Sequence, residues 1–235
     1  RSDVHRRVHM DYVGVKIYAD SGEISGELRI VGLFTSTAYT RSTQNIPFLR
    51  HKVDLVMRRS GYLPGSHSGK ALDNILETFP RDELFQIDVE QLFDTVMGIL
   101  SLELRPRTRV FARIDKFDRF VSILVYVPRD RFNTDIRRRI GEFLAETFNG
   151  RVSAFYLFFP EGPLVRIHYI IGRSEGETPK RSNEMLEEAV ADIIRTWPDI
   201  LAEQLLEQPD GARLASKYRS AFSGAYEAAL SPGRA

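Results

Sequence analysis

One segment, residues 120–127, constrains the fold more than any other because both of its faces are apolar. As a strand it places two sets of side chains on opposite sides, Val121, Ile123, Val125 and Val127 against Phe120, Leu124 and Tyr126. A strand of this kind lies inside a sheet that is covered on both faces. We therefore expect the Phe120, Leu124 and Tyr126 face to meet another domain or a second copy of the chain.

The neighbouring segments predict a complete two-layer domain over residues 83–173. Residues 84–87 predict a first strand, and Asp88 caps a helix with Gln91 three residues later. Two strands follow at 107–114 and 120–127, then a helix capped by Asn133, a strand at 152–159 and an extra strand at 165–171. This βαββαβ order predicts an α+β, ferredoxin-like sandwich with an extra strand.

The flanking residues divide into four further parts. Residues 1–44 predict a strand hairpin, 45–82 a helical connector, 174–184 a polar linker and 185–235 a helical segment. Because an isolated hairpin is marginally stable, we expect the rest of its sheet to lie outside this chain. The chain begins at Arg1, so we interpret it as a piece of a longer protein.

Composition excludes several classes of protein. The chain has no cysteine, which excludes disulfides, thiol nucleophiles and cysteine-bound zinc and is compatible with a cytoplasmic location. It contains no apolar run of the roughly 18 residues that span a bilayer, so we expect no membrane association. Basic side chains outnumber acidic ones in residues 103–173, and acidic side chains outnumber basic ones in residues 174–235. This asymmetry predicts that one segment docks on the other.

The sequence predicts no catalytic, cofactor-binding or metal-binding residue. Residues 65–71 place three residues between Gly65 and Gly69 and put Ala71 after Lys70, whereas a phosphate loop needs four residues and then Ser or Thr. We interpret this segment as the start of a helix. The five histidines are scattered and lack metal-ligand spacing, and His168 is interpreted as a core or interface residue.

Four polar residues are candidates for binding an effector or a neighbouring domain. Arg129, Arg131 and Asn133 lie near the start of the second predicted helix, where cations and free amides can hold an anion. The same arginines could form a salt-bridged contact or a solvated face. Asp88 begins the first helix, where a carboxylate complements the helix dipole. Phe120, Leu124 and Tyr126 are the candidate interface residues of the sheet.

Two other classes of function, an RNA-binding module and a stand-alone enzyme, fit the sequence less well than a regulatory module. Many RNA-binding modules share the predicted strand order, but their signature needs glycine and stacking aromatics on the central strand, whereas residues 120–126 contain no glycine and are mostly aliphatic. We therefore keep a free-standing RNA-binding module as the alternative and expect no nucleic acid as partner. A stand-alone hydrolase or transferase is disfavoured because the sequence shows no nucleophile paired with a base.

Five segments carry a family resemblance across nearly all of the chain. They are residues 11–16 (DYVGVK), 32–35 (GLFT), 62–72, 74–87 (NILETFPRDELFQI) and 120–133, which end in YVPRDRFN. In these segments the chain resembles the N-terminal half of the large bacterial NAD-specific glutamate dehydrogenases.

The resemblance implies a regulatory, non-catalytic region of a cytoplasmic enzyme that oxidises glutamate to 2-oxoglutarate and ammonia with NAD. It implies the end of a PAS-like domain at residues 1–44 and an ACT-type domain at 83–173. Other domains of the polypeptide, further copies of it and an amino-acid effector are the implied partners, and NAD would bind elsewhere in the parent enzyme. Residues 86–89 lack the glycine typical of the ligand loop in amino-acid-binding ACT domains.

Overall fold

The computed structural model describes residues 11–173, 176–218 and 221–234. These residues divide into two compact units, one ending at Val96 and the other beginning at Met97.

The first unit begins with the predicted hairpin. Strands β1 (Asp11–Tyr18) and β2 (Ile24–Gly32) are antiparallel, with Val15 opposite Leu28. Gly22 supplies the turn with a φ of 82°, a conformation that glycine adopts without strain. One face of the hairpin is apolar, and its side chains remain about half exposed within the described residues: Val13, Val15, Ile17, Leu28 and Ile30. The interpretation of the hairpin as part of a larger sheet stays a prediction.

Four helices follow the hairpin in the first unit. They are α1 (Ser36–Thr40), α2 (Pro47–Ser60), α3 (His67–Glu77) and α4 (Arg81–Gln86). Helix α2 ends at Gly61, whose φ of 70° is left-handed, and α3 begins where Ser66 accepts a hydrogen bond from the Gly69 amide.

The predicted strand at residues 84–87 is wrong, because residues 84–86 lie in helix α4 and Ile87 follows directly after it. Pro80 precedes the helix, and Asp82 and Glu83 lie in its first turn, where carboxylates favour helix formation. Leu84 is fully buried, so the short apolar run Leu84, Phe85 and Ile87 reflects burial of a helix rather than a strand.

Helix α5 (Val89–Leu104) runs through the division between the two units. The Asp88 carboxylate accepts a hydrogen bond of 2.8 Å from the Gln91 amide, so the predicted cap is confirmed.

The second unit contains a four-stranded antiparallel sheet. Its strands are β3 (Arg109–Ile114), β4 (Phe120–Pro128), β5 (Gly150–Phe158) and β6 (Leu164–Arg173), in the order β3-β4-β6-β5. Helix α6 (Thr134–Thr147) connects β4 with β5, and α7 (Asn183–Ile193) follows β6.

The α+β, ferredoxin-like class is confirmed, but its elements come in a different order along the chain. Strand β4 begins a βαββα series, and β3 takes the place of the final strand although it precedes the others in sequence. The predicted extra strand at 165–171 is β6, which lies centrally between β4 and β5. The second helix of the sandwich is α7, so the unit continues past residue 173.

Helices α6 and α7 cover one face of the sheet. The Tyr169 side chain is fully buried under α6, and its hydroxyl donates a 2.7 Å hydrogen bond to the Arg137 carbonyl. The core between the layers contains aliphatic residues from every strand but β5 and from both helices, among them Val110, Ile123, Val125, Ile140, Leu144, Ile167, Leu186 and Val190.

Three short helices complete the described chain: α8 (Trp197–Leu206), α9 (Gly211–Tyr218) and α10 (Gly224–Ala229). Pro198 lies in the first turn of α8, where the missing amide hydrogen costs nothing. Among the described helices, none has the length and apolarity to cross a membrane.

Candidate functional site

The second face of strand β4 is buried within the chain. Leu124 is 3% exposed and Tyr126 is 5% exposed, whereas Phe120 is half-buried. Helix α5 lies against this face, with Gly98 beside the Phe111 ring. Leu124 and Tyr126 are therefore not a free docking surface for a second copy.

This face contains a layer of buried polar groups. The Ser122 hydroxyl and the His168 Nε2 atom lie 2.8 Å apart, and Tyr126 hydrogen bonds with the Arg166 guanidinium. Burial raises the pKa of Tyr126, and burial lowers the pKa of Arg166. Ser122 and His168 are 2% and 4% exposed, so this pair is buried.

Sequence reasoning placed His168 in the core or an interface, which is confirmed, but it missed Ser122 and Arg166. The available signal was the alternation along β6, where Arg166 and His168 are interleaved with Val165, Ile167 and Tyr169. Alternation of this kind predicts which residues share a face, and it does not predict that the polar face is buried.

Three side chains of the loop before α6 form hydrogen bonds or an ion pair with other parts of the chain: Arg129, Arg131 and Asn133. Arg131 forms an ion pair with Asp199 of α8, and its Nη1 atom also donates to the Thr196 hydroxyl at 3.1 Å. The hydrogen bond from Arg131 holds the pKa of Asp199 well below its usual value. The predicted docking of the acidic tail on the basic middle of the chain is thus confirmed at this pair.

The other two loop residues have equally defined partners. Asn133 caps α6 by accepting a 2.9 Å hydrogen bond from the Ile136 amide, as the sequence predicts. Arg129 donates to the Pro160 carbonyl at 2.7 Å. Asp88 belongs to the first unit, where its carboxylate caps α5. An effector at this loop would therefore share Arg131 with Asp199.

Strand β3 is one edge of the sheet, and side chains of α7 accept hydrogen bonds from its backbone amides. The Val110 amide donates to the Glu187 carboxylate at 3.2 Å, and the Ala112 amide donates to the Asn183 side chain at 3.1 Å. Glu187 also forms a 2.9 Å ion pair with Arg109. These side chains occupy backbone donors that an incoming strand would need.

Strand β5 is the opposite edge, and it pairs only with β6 in the described part of the chain. It carries four large apolar side chains that are 37–56% exposed, those of Val152, Phe155, Tyr156 and Leu157, and the following Phe159 is 53% exposed. A groove of about 530 Å³ runs between this strand and α6, bordered by Arg137, Gly141 and Phe155. The guanidinium of Arg137 lies 4.1 Å from the centre of the Phe155 ring.

The other candidate segments have structural positions. Residues 65–71 form the turn and first residues of α3, which confirms the interpretation as a helix start. Within residues 11–173, 176–218 and 221–234, no group of three His, Asp or Glu side chains has an arrangement able to hold a metal ion.

Two family models match the chain. Residues 109–198 match the ACT2 domain of glutamate dehydrogenase, and residues 46–105 match helical motif 1 of glutamate dehydrogenase. The first range begins with β3 and ends in the first turn of α8, so it contains the whole sandwich. The second contains α2 to α5.

Three curated relatives are NAD-specific glutamate dehydrogenases. The protein from Halomonas elongata is 40% identical over 95% of this chain, and that from Pseudomonas aeruginosa is 36% identical over 98%. The protein from Mycobacterium tuberculosis is 28% identical over 95% of the chain. The chain spans 14% of the length of each of these relatives.

Proposed function

Because the chain belongs to the family of large NAD-specific glutamate dehydrogenases, of which it is one segment, we propose that it is a non-catalytic regulatory and assembly region. The parent enzyme would oxidise glutamate to 2-oxoglutarate and ammonia with NAD in the cytoplasm. The NAD site and the reacting groups would lie elsewhere in the polypeptide. The observation that carries this proposal is the coincidence of the ACT2 match with the intact sandwich of residues 109–198.

Polar side chains of the sandwich are paired with one another within the chain, and this pairing supports a non-catalytic role. Arg131 is paired with Asp199, Arg109 with Glu187, and the Ser122–His168 pair is buried. An active site needs groups that converge on a space a substrate can enter. Here the same groups hold the layers of the sandwich and the following helices together.

We assign the hairpin at residues 1–44 to the end of a PAS-like domain, of which residues 11–44 are described. The exposed apolar face of β1 and β2 supports this assignment because such a face needs a covering layer. Residues 45–82 would connect this domain to the sandwich. The predicted ACT-type domain at 83–173 ends before the predicted linker at 174–184 and the helical segment at 185–235. We propose that this domain also includes α7, since Leu186 and Val190 belong to the core of the sandwich.

Assembly is better supported than effector binding at residues 128–133. An anionic effector at this loop would have to compete with Asp199 for Arg131. The test is thermal unfolding of the chain with each amino acid in turn. An effector at 100 times its dissociation constant adds about 2.7 kcal/mol to the free energy of unfolding. A shift with one amino acid would establish sensing, and no shift with any would leave assembly.

The catalytic part of the proposal is tested by assaying NADH formation from glutamate and NAD. We expect the full polypeptide to form NADH and the 235-residue chain to form none at the same molar concentration. NADH formation by the chain alone would overturn the proposal.

The RNA-binding alternative draws no support from the geometry. Single-strand RNA modules stack bases on the exposed face of their sheet, and here Leu124, Tyr126 and His168 are buried on that face. Fluorescence anisotropy with generic single-stranded RNA tests the alternative, because salt-dependent binding would favour it.

A further inference from the structure

We propose that the loop between α2 and α3, residues 61–66, docks into a groove bordered by α7, α8 and α9 of a second copy of this chain. This inference rests on the proposed assembly role and names the two surfaces that would carry it. It follows from an exposed apolar loop with basic neighbours and from an apolar groove with acidic neighbours.

The 61–66 loop exposes apolar side chains at its tip. Leu63 is 74% exposed, and it lies between Tyr62, which is 36% exposed, and the exposed Pro64. A run of three exposed apolar or aromatic residues is unfavourable in water and is uncommon unless it serves a contact. We therefore interpret this tip as a surface that a partner covers.

The backbone of this loop is held by its own hydrogen bonds. The Leu63 carbonyl accepts from the Ser66 hydroxyl at 2.7 Å and from the Ser66 amide at 2.9 Å. Gly69 lets α3 pack directly against that carbonyl, because a Cβ atom at this position would lie 2.2 Å from the Leu63 oxygen. A loop that is fixed before binding loses little conformational entropy when a partner covers it.

Positive charge lies on both sides of the loop. Residues 58–70 contain Arg58, Arg59 and Lys70 and no aspartate or glutamate. Arg59 forms an ion pair with Glu90 of the same unit. Arg58 in the last turn of α2 and Lys70 near the start of α3 are both exposed. A surface that covers Leu63 would therefore meet these cations, which favours an acidic partner.

The second surface is a groove of about 720 Å³ bordered by α7, α8 and α9. This volume lies within the range of ligand-binding pockets. Four apolar residues line the groove, namely Pro198, Ala202, Leu206 and Ala215, and Leu206 is 60% exposed. An apolar side chain of a partner would be covered at these residues.

Carboxylates line the same groove. Residues 183–206 contain six aspartate or glutamate residues and one cation, Arg195. Arg195 pairs with both Asp192 and Glu203, whose side chains remain 73% and 62% exposed. One guanidinium thus faces two carboxylates, so negative charge is left over for the cations of a partner.

A second copy is the occupant that these surfaces favour, because each chain carries one loop and one groove of opposite charge. The contact is heterologous, since the loop of one copy meets the groove of the next copy and not its own equivalent. Copies joined in this way form a ring where the rotation between them closes.

Sedimentation velocity on the chain tests the inference. We expect the unmodified chain to associate at high micromolar concentration to masses of at least twice 26.9 kDa. Leu63→Glu puts a carboxylate against the acidic groove, and Leu206→Lys puts a cation against the basic loop, so each variant alone should stay at 26.9 kDa. The matched controls are Leu104→Glu and Leu104→Lys, because Leu104 is 89% exposed outside both surfaces and should leave association intact.

An equimolar mixture of the two variants provides a second readout, which depends on restored binding. Leu63→Glu keeps an intact groove and Leu206→Lys keeps an intact loop, so one functional contact remains between them. We expect the mixture to form a species of twice 26.9 kDa and no larger one, because the other loop and the other groove are both altered. Restored association would also show that each variant is folded.

Four results would overturn the inference: a monomeric unmodified chain, which is the result expected if the loop docked within its own copy; association that persists in either variant; a mixture that stays monomeric; or controls that dissociate equally well. None of these bears on the proposed non-catalytic role, which is tested by NADH formation.

Discussion

The carboxylate of Glu187 accepts a hydrogen bond from the backbone amide of Val110, although 77 residues separate the two in sequence. This contact joins the helix that follows the last strand of the sheet to the first strand of the sandwich. It fixes the position of β3, which reaches the sheet from the opposite end of the domain's sequence. It also closes the edge of the sheet that β3 forms.

We expect Glu187→Ala to lower the free energy of unfolding by about 1–3 kcal/mol, because the substitution leaves the half-buried Val110 amide and Arg109 without their acceptor. Urea denaturation measures the change. Glu188→Ala is the control, since Glu188 is exposed one position along the same helix. Equal effects of the two substitutions would contradict the role of Glu187.

The Arg131–Asp199 pair should make the chain sensitive to acid. The pKa of Asp199 is depressed in the folded state, so its contribution to stability is present above the ordinary aspartate value of about 4 and is lost as the pH falls below it. We expect Asp199→Asn to reduce stability at neutral pH by about 1–2 kcal/mol and to flatten the decline in acid.

Asp210→Asn provides the control for this pair. Asp210 also faces an arginine, but its side chain is 72% exposed, so we expect little change at any pH. Thermal melts of both variants between neutral and acid pH provide the comparison. A parallel decline of Asp199→Asn and the unmodified chain would show that the pair does not stabilise the fold.

Tyr169 and Tyr126 should make the chain sensitive to alkali. Burial raises the pKa of both hydroxyls above the ordinary tyrosine value of about 10. The stability they contribute is therefore present below that value and is lost as the pH rises above it. We expect ultraviolet absorbance to show the two phenolates appearing only as the chain unfolds. Their titration in the folded chain at the ordinary value would contradict the burial.

Gly98 should resist substitution although it lies inside a helix. A Cβ atom at this position would lie 2.6 Å from an atom of the Phe111 ring. Helix propensity alone predicts that Gly98→Ala stabilises the chain by about 1 kcal/mol. Overpacking costs about 1–3 kcal/mol, so we expect a net loss of stability. Gly224→Ala, where nothing lies within 4 Å, should cause no such loss.

The sequence predicts those parts of the fold that depend on local pattern. The double-sided apolarity of residues 120–127 identified the central strand β4, and the caps at Asp88 and Asn133 marked the starts of α5 and α6. In each case the signal and the structure it predicts are only a few residues apart.

The errors have a common physical origin in long-range pairing. Leu84 and Phe85 of α4, and Ile87 directly after it, are apolar for the same reason that they would be in a strand, so periodicity could not distinguish the two. The early strand β3 completes the sheet beside β4, and that position depends on contacts such as Val110 with Glu187. The partner of Arg131 is equally distant in sequence, at Asp199.

Our central proposal is that this region would act on the parent enzyme through assembly or sensing and not through chemistry. The most direct measurement is a comparison of the full polypeptide with and without Arg131→Ala, recording oligomeric mass, amino-acid response and the KM values for glutamate and NAD. The account predicts unchanged KM values for glutamate and NAD, because Arg131 pairs with Asp199 within this region and would lie outside the active site. Raised KM values with unchanged mass and response would contradict it, because Arg131 would then serve the active site.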